Sequence, residues 1–194
     1  MILPALAPAL GCALTSRGKT LDVHWYTPER IRSQAGAAEK QAVGPGSEKP
    51  ACDLRLASVT SGADLGPRIN FGDGQYRVGQ YEDLHWTERP EHYMRRALGR
   101  SLFEQGSFRR VLTGHASTLN VELLDFEEVK TPTLHAARIA VRIVVASDQV
   151  LTERTVVVTE PVAGNSFEDF VATMASVLEK TADEVARAAQ VVCR

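Results

Sequence analysis

Between residues 119 and 158, apolar and polar side chains take turns. Leu119, Val121 and Leu123 alternate with Asn120 and Glu122, and Ala137, Ile139, Val141, Ile143 and Val145 alternate with Arg138, Ala140 and Arg142. Val156 and Val158 continue the pattern beyond a turn at Ser147-Asp148. A period of two sends alternate side chains to opposite faces of an extended chain. Three successive strands, each with one polar face, predict an antiparallel meander whose other face is buried.

The closing segment supplies a cover for that apolar face. Ser166, with Asp169 three residues on, forms a capping box in its acidic variant, and Phe170, Met174, Val177, Leu178, Thr181 and Val185 then recur at helical spacing. The stripe is core packing against the sheet, with Met174 filling space rather than holding a cofactor. A second helix starts at Pro90, whose missing N–H costs nothing in a first turn. Tyr93, Ala97, Leu102 and Phe103 follow as an approximately helical apolar face, with Gly106 past the end.

The remaining strands are read at "LDVHWY" (21–26), near 54–60 and near 108–112, with a hairpin in "RINFGDGQYRVGQY" centred on Asp73-Gly74. Residues 31–50 are rich in Ala, Gly, Ser and charge and are expected to form a long mobile surface loop. The predicted fold class is α/β: a mixed, largely antiparallel sheet with two long helices, in a single domain over 21–194. A chain of 194 residues suits one well-buried domain. A net charge of -2 lacks the basic footprint of a nucleic-acid binder. No stretch reaches the roughly 20 apolar residues needed to span a bilayer.

Catalytic signals are absent from the sequence pattern. His24, His85, His92, His115 and His135 show no metal-ligand spacing, so no metal is expected. The glycines of "NFGDGQYRVG" lack the Lys and the following helix of a phosphate loop, no GxSxG occurs, and no cofactor is expected. Glu127-Glu128 reads as a solvated strand end without a partner. The densest unusual stretch is "QYRVGQYEDLHWTERP", with Tyr76, Tyr81, His85 and Trp86. Amphipathic aromatics suit a partner-binding surface. Equally, Tyr76 and Tyr81 can pack the sheet while Trp86 pins the next helix.

At the N-terminus, "MILPALAPALG" (1–11) has the apolar run and small residues of a signal segment. No Lys or Arg precedes Arg17, so the segment is either truncated at its start or not a signal. Ala9-Leu10-Gly11-Cys12 is similar to a bacterial lipobox, in which the cysteine is acylated, and residues 12–20 then form the lipidated cysteine and a polar tether. Three cysteines are an odd count. If Cys12 is consumed by lipidation, Cys52 and Cys193 remain as a candidate disulfide; the alternative is two free, partly buried thiols.

"CALTS", the tyrosine-rich "QYRVGQYEDLHWTERP" and "EHYMRRALGRSLFEQGSF" together resemble the ABC-type transport auxiliary lipoproteins, the family of the Pqi-system lipoprotein and of others that accompany MCE-type lipid transporters. Trp86, Pro90, Leu102, Phe103, Gly106 and Phe108 occupy the places of the family pattern, and the resemblance covers roughly residues 12–190. It implies a periplasmic domain similar to the N-terminal domain of TolB, anchored to the outer membrane by acylation at Cys12. It also implies a non-enzymatic role as docking or tethering partner of an MCE-type protein with its ABC permease and ATPase. A homo-oligomer is a further partner state left open. The alternative reading is a stand-alone envelope adaptor that binds peptidoglycan-associated or TolB-like partners.

Overall fold

A computed structural model describes residues 21–29, 52–73, 75–106, 108–149 and 151–193. Cys12, the tether over 12–20, the loop over 31–50 and Gly74 lie outside them. Eight strands form one mixed sheet: β1 (His24–Tyr26), β2 (Cys52–Ser61), β3 (Arg68–Gly72), β4 (Val78–Trp86), β5 (Phe108–Arg110), β6 (Ser117–Lys130), β7 (His135–Ala146) and β8 (Leu151–Pro161). Helix α1 (Pro90–Gly99) runs into a π-helical turn, and α2 (Phe167–Ala189) ends in a short 3-10 turn.

Strand β6 organises the sheet. One of its edges pairs with β7 from Thr118↔Ala146 to Lys130↔His135, and β7 pairs with β8 in turn. These are the antiparallel meander that the alternation predicts. The other edge of β6 is shared between two parallel neighbours. Its first half pairs with β2, which carries β5; its second half pairs with β3, which carries β4 and then β1. Parallel pairs need long connections rather than tight turns, and α1 lies within the chain that leads from β2 to its parallel partner β5.

Three strands change the phase of their alternation. The register of β2 against β6 shifts between Leu56 and Ser58, that of β6 against β7 between Leu123 and Asp125, and that of β3 against β4 between Arg68 and Asn70. A bulge inserts residues into one strand and moves everything beyond it to the other face. Leu54 and Val59 are therefore both buried although five residues apart, as are Leu123 and Phe126 three apart.

Both helices pack on one face of this sheet, α2 across β7 and β8 and α1 beside it over β2 and β6. The buried stripe of α2 is Phe170, Met174, Val177, Leu178, Thr181, Ala182, Val185 and Ala189. Its N-terminus carries the capping box: the Asp169 N–H donates to Ser166 Oγ at 3.1 Å and the Ser166 N–H to Asp169 Oδ2 at 3.1 Å. In α1 the buried Ala97 and Leu102 are five residues apart, about 140° around a regular α-helix. The π-helical turn over Arg100–Glu104 brings Leu102 back to the core side. Arg100 reaches Glu179 at 2.6 Å and the Ser101 hydroxyl donates to Asp183 at 2.8 Å, so the two helices are also joined by polar contacts.

Cys52, at the start of β2, and Cys193, past the end of α2, form a disulfide with a Cα–Cα distance of 5.5 Å. It connects the helical layer to the sheet across 141 residues of sequence.

Among the described residues, no helix covers the opposite sheet face. It carries a charge ladder instead: Arg142 pairs with Glu122, and Arg138 with Asp125 at 3.0 Å. Glu127 lies between Asn70 and Arg138 in register and is buried. Burial raises its pKa, Asp125 adds to the rise, and Arg138 offsets part of it. A carboxyl group whose pKa rises on folding penalises the folded state once ionised. The penalty is full above the folded-state pKa and gone below the unfolded one. Glu127→Gln should therefore raise the melting temperature at neutral pH, with the gain shrinking as the pH falls toward 4; thermal melts across that range check it. A gain that grows on acidification would show that Glu127 is stabilising as a charge.

Candidate interaction surface

The four aromatic residues of the hairpin stretch are placed in four different settings. Tyr76 lies in the turn between β3 and β4 and is 95% exposed. Asp73 builds that turn by accepting the backbone N–H groups of Gln75, Tyr76 and Arg77 at 2.8, 2.9 and 3.1 Å, which holds its carboxyl below the usual range. The hairpin thus spans residues 73–77 rather than a two-residue turn.

Tyr81 sits on the helix side of the sheet. Its ring meets Phe71 at 4.7 Å and Phe167 at 5.8 Å between centroids. Phe71 also lies over Gly79, its cross-strand partner, where any Cβ would strike the ring at 2.5 Å. The Tyr81 hydroxyl donates to Glu128 Oε2. His135 Nε2 lies 2.6 Å from the other carboxylate oxygen, and Lys130 Nζ is 3.9 Å from it. Burial and the Glu128 carboxylate push the Tyr81 phenol well above its ordinary pKa.

This corrects the reading of Glu127-Glu128 as a solvated pair. Both are buried, on opposite faces of β6, and Glu128 is held by Tyr81 and His135. Sequence reasoning missed the trio because its members lie on three different strands.

Trp86 is 0% exposed. It packs among Phe126, Phe170 and Tyr93 at centroid distances of 5.4, 6.2 and 6.4 Å. The Tyr93 hydroxyl fixes the start of α1, lying 2.7 Å from Thr87 Oγ1 and accepting the Glu88 N–H at 2.8 Å. Full burial leaves Trp86 no surface to offer a partner, which corrects the reading of it as a contact residue: it is the pin of helix α1.

His85, on the opposite face from Trp86, meets a residue that the sequence reading had not singled out. The Trp25 ring lies 5.0 Å from it and is 58% exposed. Trp25 and His85 are register partners in the parallel pair β1–β4. Beside His85 the uncovered face holds an open cavity of about 650 Å³, lined in part by Asp64, Arg68, Asn70 and Gln80. The Gln80 amide donates to the Asp64 carbonyl at 2.9 Å and to Asn70 Oδ1 at 3.2 Å, which stiffens the cavity floor. The sequence signal was the alternation of Leu21, Val23 and Trp25 in an edge segment, all exposed. An exposed tryptophan tilted against a histidine beside an open hollow of mixed lining suits protein recognition.

The geometry defines a class of domain: a two-layer α/β unit with both helices on one sheet face and, at the edge of the other, an exposed tryptophan set against a half-buried histidine. Solved structures share the fold. A Xanthomonas campestris protein of the family labelled DUF330 superposes with a TM-score of 0.64 at 18% identity, covering 74% of this chain and 86% of that one. An uncharacterized protein gives 0.58 at 15% identity, covering 72% and 94%. A hypothetical protein from Chlamydia trachomatis gives 0.51 at 11% identity, covering 74% and 98%. No curated protein matches the sequence. The model of the ABC-type transport auxiliary lipoprotein component matches residues 37–186, and the chain belongs to that family.

Proposed function

We propose that this chain is an outer-membrane lipoprotein, acylated at Cys12, whose periplasmic domain is the non-catalytic docking partner of an MCE-type protein served by an ABC permease and ATPase. The family match carries the reading. The disulfide supports it, since such bonds persist in oxidising compartments such as the periplasm. No helix among the described residues is long and apolar enough to cross a membrane, and acylation provides attachment without one.

The docking surface is the uncovered face around Trp25 and His85. Tyr81 contributes by holding β4 in place rather than by contact. Trp25→Ala with His85→Ala should weaken co-purification with the MCE-type protein of the same transport system by at least about tenfold, the loss of one hot-spot contact. The melting temperature should stay unchanged. Full retention of the complex by the folded double variant would remove this surface from the interface.

A further inference from the structure

Two hairpin tips lie side by side at one end of the sheet. Strand β3 pairs with β6 through Gly72↔Val129, so the β3–β4 turn and the β6–β7 turn are neighbours. Each presents an exposed apolar side chain, Tyr76 on the first and Leu134, 42% exposed, on the second. Between them is a cleft of about 540 Å³ lined by Gln75, Arg77, Lys130 and Thr131, among others. Arg77 and Lys130 are its cations. Asp73 in the same lining is occupied by three backbone N–H groups, and Glu128 behind Lys130 is buried and held by Tyr81 and His135.

Strand β1 runs parallel to β4 and pairs with its last residues, Leu84, His85 and Trp86, so the chain enters β1 travelling away from the turn beside Val78. Leu21, 53% exposed, precedes β1 on that side. The path from Cys12 to Leu21 is nine residues long and reaches at most about 30 Å. Strand β6, with 14 residues, is about 45 Å long. The tether is shorter than the sheet and leaves the domain on the side of the turns, so an acyl anchor at Cys12 favours the tip end facing the bilayer over the far end.

We infer that the tips bearing Tyr76 and Leu134 rest on the lipid surface, with Arg77 and Lys130 meeting lipid phosphates in the cleft between them. Tyrosine suits the headgroup level, where one part of the ring is dry and the hydroxyl wet. Cations near an anionic surface add to apolar insertion. The inference rests on the acylation proposed above for Cys12 and adds the orientation of the domain on the membrane.

The test uses the full chain in vesicles of phosphatidylethanolamine and phosphatidylglycerol brominated close to the headgroup. With Trp25→Phe as background, a fluorophore is introduced by Tyr76→Trp at the tip or by Leu151→Trp at the far end, and buried Trp86 is a constant reference. Quenching should be several-fold stronger for Tyr76→Trp. Equal quenching at the two ends of an acylated chain keeps the anchor and overturns the surface. A chain whose intact mass carries no acyl group, but whose Tyr76→Trp variant is still quenched selectively, keeps the surface and removes the anchor. In a Cys12→Ser chain, Tyr76→Asp with Leu134→Asp should lower vesicle flotation about tenfold, the factor set by about 1.4 kcal/mol of lost apolar burial. Unchanged flotation of that variant also overturns the proposal.

Discussion

Cys52→Ser lowers the stability of the folded domain by about 3–5 kcal/mol, the range set by releasing a very long closed loop in the unfolded chain. The bond spans 141 residues, so its reduction frees nearly the whole described domain from that constraint. Its placement adds a native-state reason. Cys52 opens β2, an interior strand flanked by β5 and β6, and Cys193 ends the turn beyond α2. Without the bond, the 3-10 turn beyond α2 retains only the packing of half-buried Val191 and Val192 against the core. Urea unfolding of the oxidised chain, the reduced chain and Cys193→Ser should give one high midpoint and two low ones that coincide. Equal midpoints for all three would mean that the bond adds nothing to the fold. A domain that depends on this bond gains its full stability only in an oxidising compartment.

The antiparallel half of the sheet was legible because β6, β7 and β8 follow one another along the chain and each keeps a period of two over several residues. The closing helix was legible for a similar reason: cap, stripe and length all lie within one segment. The parallel half was not. The pairing of β2 with β6 joins residues about sixty positions apart, and no local pattern records it. The bulges hid more. In an unbroken strand Tyr81 and Trp86, five residues apart, would face opposite ways, and a partner surface could hold only one of them. The shift opposite Arg68 and Asn70 turns both toward the helices, where neither is freely exposed. The candidate surface read from the sequence therefore divides: Tyr81 and Trp86 point toward the helices, whereas Tyr76 is exposed and His85 faces the other side of the sheet. The exposed tryptophan beside His85 came from β1, which reaches β4 only through the fold.

That contrast sets the second large effect. Trp86→Ala should destabilise the domain by about 3–5 kcal/mol, the cost of emptying a large aromatic site in a core that relaxes only in part. The cavity would open between Phe126, Phe170 and Tyr93, so strand β6, helix α2 and the first turn of α1 lose packing together. Trp86→Phe separates volume from hydrogen bonding. Among the described residues the indole N–H of Trp86 meets no acceptor. Phenylalanine keeps much of the ring contact and removes that unpaired donor, whose burial costs about 1–3 kcal/mol. The Phe variant should thus lose far less than the Ala variant. Trp25→Ala, on the exposed edge, should leave the melting temperature within the small range of surface substitutions. Tryptophan emission adds a second readout: Trp86 should emit blue-shifted and be shielded from aqueous quenchers until the domain unfolds, and Trp25 should be quenched in the native state. If Trp86→Ala melts with the wild type while Trp25→Ala unfolds early, the assignment of core and surface tryptophans is reversed. In that case the docking face around His85 would be a structural edge rather than a recognition site.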